Sequence, residues 1–208
     1  MFIELKSLDL DALKETCNRL DLVHHERCSF RYGRLDFPNS VPDGISIENR
    51  ACDGVLALRD PQPIAGGRRY PFEIGIFADG GRYFLVWDDY RGGFGLSARI
   101  GDNGERLLQT YATVVVEKIL EKYQVSVRVT ADETVELTAQ TGDDMNQKIV
   151  VRISPKGQVK MEVVGCEGES CKSLTEAMER ALGKVTEDEL MPEFYKAQDQ
   201  NVTQTVSE

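Results

Sequence analysis

Apolar positions along the chain recur with two periods, and each change of period marks an element. Phe2-Ile3-Glu4-Leu5 fits a short strand. Over residues 8–22 the spacing is three and four, through Leu10, Leu13, Cys17 and Leu20, so a helix is predicted with Ser7 or Asp9 as its cap. Residues 24–43 show no period and carry the breakers Gly33, Pro38 and Pro42. A strand-rich stretch follows. Ile45 and Ile47 alternate with polar residues, Val55 to Leu58 is a short apolar run, and a Pro/Gly loop comes after it. Phe72, Ile74 and Ile76 alternate, as do Tyr83, Leu85 and Trp87. Ala78-Asp79-Gly80-Gly81 lies between them and supplies the positive φ of a tight hairpin.

The period then returns to that of a helix. Leu107, Leu108, Tyr111, Ala112, Val115, Ile119 and Tyr123 make one broad stripe, predicting a helix over 104–123 capped by Asp102 or Asn103. Val125, Val127 and Val129 alternate next, and Val135, Leu137 and Ala139 return after a turn at Ala131-Asp132-Glu133-Thr134. The polar, acidic run from Thr141 to Asn146 reads as a boundary. Beyond it Ile149, Val151 and Ile153 pair with Val159, Met161 and Val163 across the turn Pro155-Lys156-Gly157. Leu174, Ala177, Met178, Ala181 and Leu182 then mark a second amphipathic helix, with Ser170 or Ser173 as cap and Gly183 at its end.

The expected class is α+β. Hairpins rather than helical crossovers join most strands, which argues against a doubly wound parallel sheet. Residues 1–141 are expected to form an antiparallel sheet with two packed helices, residues 147–197 a small ββα module, and residues 198–208 a disordered tail.

Composition narrows the function. The 208 residues carry 25 Lys+Arg against 35 Asp+Glu, a net charge of −10. Residues 131–208 hold 16 acidic and 8 basic side chains, so most of the excess belongs to the C-terminal third. No clustered basic face points to nucleic acid. No apolar run is long enough to span a membrane. The acidic start, MFIELKSLDLDAL, does not read as a signal peptide, so a cytoplasmic, reducing setting is expected, with the five Cys as thiols or ligands.

Two segments resemble known families. The first comprises Pro71 to Phe77, Asp79-Gly80, Tyr83 to Tyr90 with its Asp89-Tyr90 pair, and the helix bearing Gln109, Tyr111 and Ala112. It resembles a family of uncharacterised proteins found in cyanobacteria, other bacteria and plastid genomes. The second runs from Ile149 to Leu182, with Ile153, Pro155, Gly157, Gly165, Gly168, Cys171, Leu174-Thr175 and Ala181-Leu182-Gly183 in order. It resembles a small companion family of unknown function. The resemblance implies a fusion of two families encoded beside an AAA-type ATPase, sometimes with a ferredoxin. It implies a protein partner of that kind, and no reaction.

Candidate chemistry is sparse. Cys166 and Cys171 sit at a helix start, which lowers a thiol pKa, but Glu167 and Glu169 oppose ionisation. They are the redox candidates. Cys17, His24, His25, Cys28 and Cys52 include zinc-ligand types, but their spacing matches no compact zinc motif, so no metal or cofactor is expected. Asp88 and Asp89 are adjacent, and on a strand they point to opposite faces, which weakens an acid–base pair. Gly92-Gly93-Phe94-Gly95 lacks the Lys and Ser/Thr of a phosphate loop. An aromatic on a Gly-rich loop is a plausible anchor, so Trp87, Asp89, Tyr90 and Phe94 are the expected partner-binding residues. The balance favours a non-enzymatic accessory or adaptor protein. The rival readings are a thiol-redox or iron–sulfur-linked protein using Cys166 and Cys171, and a small-molecule-binding module.

Overall fold

A computed structural model describes residues 1–33, 35, 41–43, 45, 47, 51–64, 70–140 and 148–164. The protein is α+β, with helices packed on antiparallel sheets. The first sheet holds β1 (Phe2–Leu5), β2 (Leu22–His25), β3 (Gly54–Leu58), β4 (Ile74–Asp79) and β5 (Arg82–Val86) in the order β1-β5-β4-β3-β2. All neighbours are antiparallel. The predicted hairpin is β4–β5. Asp79 faces Arg82, and the two linking residues, Gly80 and Gly81, both have positive φ (+56° and +82°), as a two-residue turn matched to strand twist requires.

Both faces of this sheet are apolar, because each is covered. Ile3, Leu22, Leu56, Ile74, Ile76 and Leu85 meet helix α1 (Leu10–Arg19), Ile100 of the one-turn helix α2 (Ser97–Ile100) and helix α3 (Glu105–Ile119). On the other face Val55, Phe77, Phe84 and Val86 meet Leu35, Ile45 and Cys52, with Phe30 and Ile47 packed alongside. The pattern at Ile45 and Ile47 is thus a packing signal; neither residue lies in a strand. Gly75 is required by this second layer, since a Cβ there would stand 2.6 Å from the Phe30 ring.

Helix α1 starts where Asp9 caps it, its Oδ1 accepting the Ala12 N–H at 2.9 Å. Lys118 and Arg19 then tie it to α3, through Lys118–Asp9 at 2.6 Å and Arg19–Glu117 at 2.7 Å. Leu13 and Cys17 are buried as expected, whereas Leu10 lies 40% exposed. Residues 22–25, expected as helix end and loop, are strand β2.

Helix α3 begins at a glycine instead of at Asp102 or Asn103. Gly104 has φ +77°, and a Cβ there would meet Ile3 at 2.6 Å and Trp87 at 2.9 Å. The Glu105 carboxylate accepts the N–H groups of Asp102 (3.2 Å) and Asn103 (2.7 Å). The expected single stripe is two. Leu107, Tyr111, Val114 and Val115 join the first core, while Ala112, Val116 and the following Leu120 join a second. A helix with apolar residues on opposite sides is a buried helix.

The second core lies under the sheet β6 (Gln124–Val129), β7 (Val135–Gln140), β8 (Lys148–Ile153) and β9 (Val159–Val164), a four-stranded meander. Leu137, Ala139, Ile149, Val151 and Ile153 are its buried centre. β7 and β8 pair over their full length, from Val135↔Ile153 to Gln140↔Lys148. β7 and β8 therefore belong to one sheet, on either side of the polar run 141–146 that the sequence pattern reads as a boundary. The expected helix after β9 and the expected tail lie outside the described residues. On the outer face Arg128, Glu136, Arg152 and Glu162 form a cross-strand ladder of ion pairs.

Candidate functional site

Three stretches that the fold brings together form the face of interest: residues 27–33, 70–73 and 87–97. Two buried carboxylates hold it. Glu73, just before β4, has a fully buried side chain. Its Oε1 takes Arg27 at 2.7 Å and Arg31 at 2.6 Å, and its Oε2 accepts the Arg31 backbone N–H at 2.8 Å. Arg31 also donates from Nε to the Pro71 carbonyl at 3.2 Å and lies over the Tyr70 ring, 5.7 Å from its centroid. Asp88 is 3% exposed. Its Oδ2 accepts the Gly33 N–H at 2.8 Å and its Oδ1 the Tyr90 N–H at 2.9 Å. Both carboxylates thus fasten the segment 31–33, through backbone amides that would otherwise be unsatisfied.

Asp89 follows on the surface, so the adjacent carboxylates do not converge. The chain then makes a turn, Tyr90–Phe94, whose interior is left-handed. Arg91 (φ +52°, ψ +38°), Gly92 (+63°, +32°) and Gly93 (+58°, +19°) are succeeded by Phe94 at φ +56° and Gly95 at φ +112°. Each non-glycine residue in this region costs roughly 1–2 kcal/mol, and such residues normally occur singly. The fold holds the run by three backbone bonds: Gly92 N to Asp89 O (2.9 Å), Gly95 N to Gly92 O (3.2 Å) and Phe72 N to Gly93 O (3.0 Å). Gly93 has no room for a Cβ, which would come 2.8 Å from that of Leu96.

The turn displays rings. Phe94 packs edge-on against Phe72 (5.1 Å) and Tyr90 (6.2 Å). Arg91 lies over Tyr90 at 5.5 Å. Tyr90 is 60% exposed and Tyr70 45%. Of the four residues singled out from sequence, Asp89 and Tyr90 are exposed and Phe94 is half-buried among rings. Trp87 is fully buried in the first core and presents nothing to a partner. Its alternation with Leu85, which suggested the strand, already put it on the inward face. Arg31, Tyr70 and Phe72 were not singled out from sequence. They are distant along the chain, and only the ring stacking and Glu73 assemble them.

The cysteines divide by burial. Cys17 is packed under α1, and burial pushes its thiol up to about 12. Burial also pushes the Cys52 thiol up, while Cys28 is exposed. His24 is lowered by burial first, with the Lys14 charge adding to it. Among the described residues no three His, Cys, Asp or Glu side chains converge as a metal-holding group. Cys166 and Cys171 lie outside the described residues. No helix among the described residues is long and apolar enough to cross a membrane.

The model of a protein family of unknown function, DUF2997, matches residues 149–195. The matched segment includes β8 and β9. No curated protein and no solved structure matches the chain.

Proposed function

We propose that the chain is a non-enzymatic accessory protein of the bacterial cytoplasm that docks a protein partner, an AAA-type ATPase. It unites a family of uncharacterised cyanobacterial and plastid proteins, over residues 1–141, with the companion family of unknown function that follows. Docking runs through the ring-and-guanidinium face, with Tyr90 as its anchor. One observation carries this reading: a backbone run that costs several kcal/mol by the general figure above is held in place, and what it presents outward is Tyr90, Arg91 and the edge of Phe94. Strain of that size is tolerated where a segment's shape is used. Tyrosine and arginine are the residue types that carry binding energy at protein interfaces. The face fits a partner with an apolar pocket for Tyr90 and a carboxylate for Arg91.

The test is co-purification of the tagged full chain at low salt in the presence of ATP, with recovered proteins identified by mass spectrometry. The expected result is an AAA-type ATPase, with recovery reduced at least about tenfold by Tyr90→Ala, as for an interface hot spot. Recovery of no such ATPase overturns the choice of partner. Undiminished recovery by a folded Tyr90→Ala chain overturns the choice of face.

A further inference from the structure

We propose that Cys28 and Cys52 form a reversible disulfide, a redox-modifiable clasp at the end of the β2–β3 ladder. The ladder pairs Leu22 with Leu58, Val23 with Ala57, His24 with Leu56 and His25 with Val55. The strands end at His25 and Gly54, and Cys52 shares the buried face of Val55 three residues away, so the regular register is not kept beyond them. The Cys52 backbone N–H nevertheless donates to the Cys28 carbonyl at 3.0 Å, so the two cysteines are backbone neighbours just past the ladder. A disulfide spans Cα separations of about 4.4–6.8 Å and wants its Cβ atoms near 3.8 Å. Residues joined by a cross-strand backbone hydrogen bond stand about 5.5 Å apart at Cα, inside that span. Drawing the Cβ atoms together stores strain, and strained or exposed disulfides are the readily reduced ones.

The two thiols suit different steps. Cys28 is exposed and meets the oxidant first. Cys52 is buried, and its thiol donates to the Arg27 carbonyl at 3.4 Å, so it is turned toward the strand that carries Cys28. With a low-molecular-weight disulfide such as oxidised glutathione as oxidant, the Cys28 thiolate attacks one sulfur. A mixed disulfide forms and the first glutathione leaves as a thiol. Cys52 gives its proton to solvent and its thiolate attacks the Cys28 sulfur. The protein disulfide forms and the second glutathione leaves, taking up a proton. Two protein thiols lose two electrons, and one glutathione disulfide gains them. The clasp sits one residue beyond Arg27 and three before Arg31, the two side chains that bind Glu73. It therefore locks the root of the ring-and-guanidinium face, whatever that face binds.

The experiment exposes the full chain to oxidised glutathione, alkylates the remaining thiols under denaturing conditions and digests with trypsin without reductant. Cleavage after Arg27, Arg31, Arg50 and Arg59 places Cys28 and Cys52 on separate peptides, 28–31 and 51–59. The expected result is a linked pair of these peptides, two hydrogens lighter than their sum, released by excess reduced glutathione. Alkylation of Cys28 falls at least about tenfold on oxidation. Cys52→Ala leaves Cys28 as the stable glutathione adduct, and Cys28→Ser leaves Cys52 alkylatable. A wild-type chain that keeps Cys28 as the adduct with no link to Cys52 overturns the proposal. So does a link from Cys28 to any other cysteine.

Discussion

Gly157→Ala probes how the two sheets are joined. Gly157 closes the β8–β9 turn at φ +77°, with its N–H bonded to the Ser154 carbonyl at 2.9 Å and Ser154 N–H bonded to Gln158 O at 2.9 Å. A Cβ there would lie 2.8 Å from Leu108 Cβ, 3.1 Å from the Leu108 carbonyl carbon and 3.3 Å from the Gln109 nitrogen. Two of these three atoms are backbone of α3, which cannot swing aside as a side-chain tip can. The substitution therefore costs about 1–2 kcal/mol for the left-handed backbone, and about 1–3 kcal/mol more for forcing the hairpin off the helix. A gain of about 0.4–1 kcal/mol from the stiffer unfolded chain offsets part of this. The net expectation is about 2–4 kcal/mol. Gly80→Ala is the control: its φ is +56°, but no heavy atom stands within 4 Å, so only the backbone part applies, about 1 kcal/mol.

The assay is urea unfolding of the full chain, followed by Trp87 fluorescence and by far-ultraviolet circular dichroism. Trp87 is the one tryptophan and is buried in the first core, on the opposite side of α3 from the hairpin. Because α3 is common to both cores, the fluorescence midpoint must fall with the dichroism midpoint. It must also fall further than in Gly80→Ala, although Gly80 lies in the sheet that neighbours Trp87. If Gly157→Ala lowers the dichroism midpoint and leaves the Trp87 midpoint in place, the strands after 147 fold as a separate unit and the reasoning is refuted. Equal losses in the two variants would refute the contact with α3.

Two further outcomes follow from the polar contacts. Glu73→Gln keeps one acceptor but removes the charge that two half-exposed guanidinium groups share. A loss of about 1–3 kcal/mol in urea unfolding is expected, together with faster proteolysis after Arg27 and Arg31; an unchanged cleavage rate would show that the segment is held otherwise. For Glu136, burial pushes the carboxyl up, but hydrogen bonds and charge from Arg152 and Arg128 outweigh it and hold the group below the ordinary carboxylate range. A depressed value contributes stability that is present above the unfolded pKa of about 4.3 and is lost as pH falls through the folded one. Glu136→Gln should therefore be less stable than wild type at pH 7 and converge on it in acid, as thermal melts across pH 3–7 would record; a gap constant with pH would exclude the ladder as its source.

The strands and turns were legible wherever a period of two met a turn residue. Asp79-Gly80-Gly81 and Pro155-Lys156-Gly157 were read correctly for that reason. β2 was missed because only Leu20 and Asp21 separate the end of α1 from its start, and the helical spacing carried on through Leu20. The double role of α3 was missed for another reason. Tyr111 to Val116 is buried without a gap, and a run of that kind has no polar side to separate two stripes. The polar run 141–146 shows the same limit: polar composition marks a connection, but does not say that β7 and β8 on either side of it pair.

The resembling motif Gln109, Tyr111 and Ala112 illustrates how structure reassigns a sequence signal. Gln109 donates to the carbonyls of Glu133 (2.7 Å) and Ile153 (3.3 Å), at the ends of two hairpins. The Tyr111 hydroxyl accepts the Asp9 N–H at 2.8 Å, at the start of α1. Ala112 is small where β-sheet residues press on α3. These three residues fasten the helix to three different elements, and stability alone accounts for them. Glu73 and Asp88 are likewise accounted for by the amides and guanidinium groups they hold. The turn Tyr90–Phe94 is different. Its left-handed run lowers stability, and it carries Tyr90 and Arg91 stacked on each other at the surface. A feature that opposes the fold while exposing two interface-type side chains is where selection for binding, rather than for folding, is to be sought.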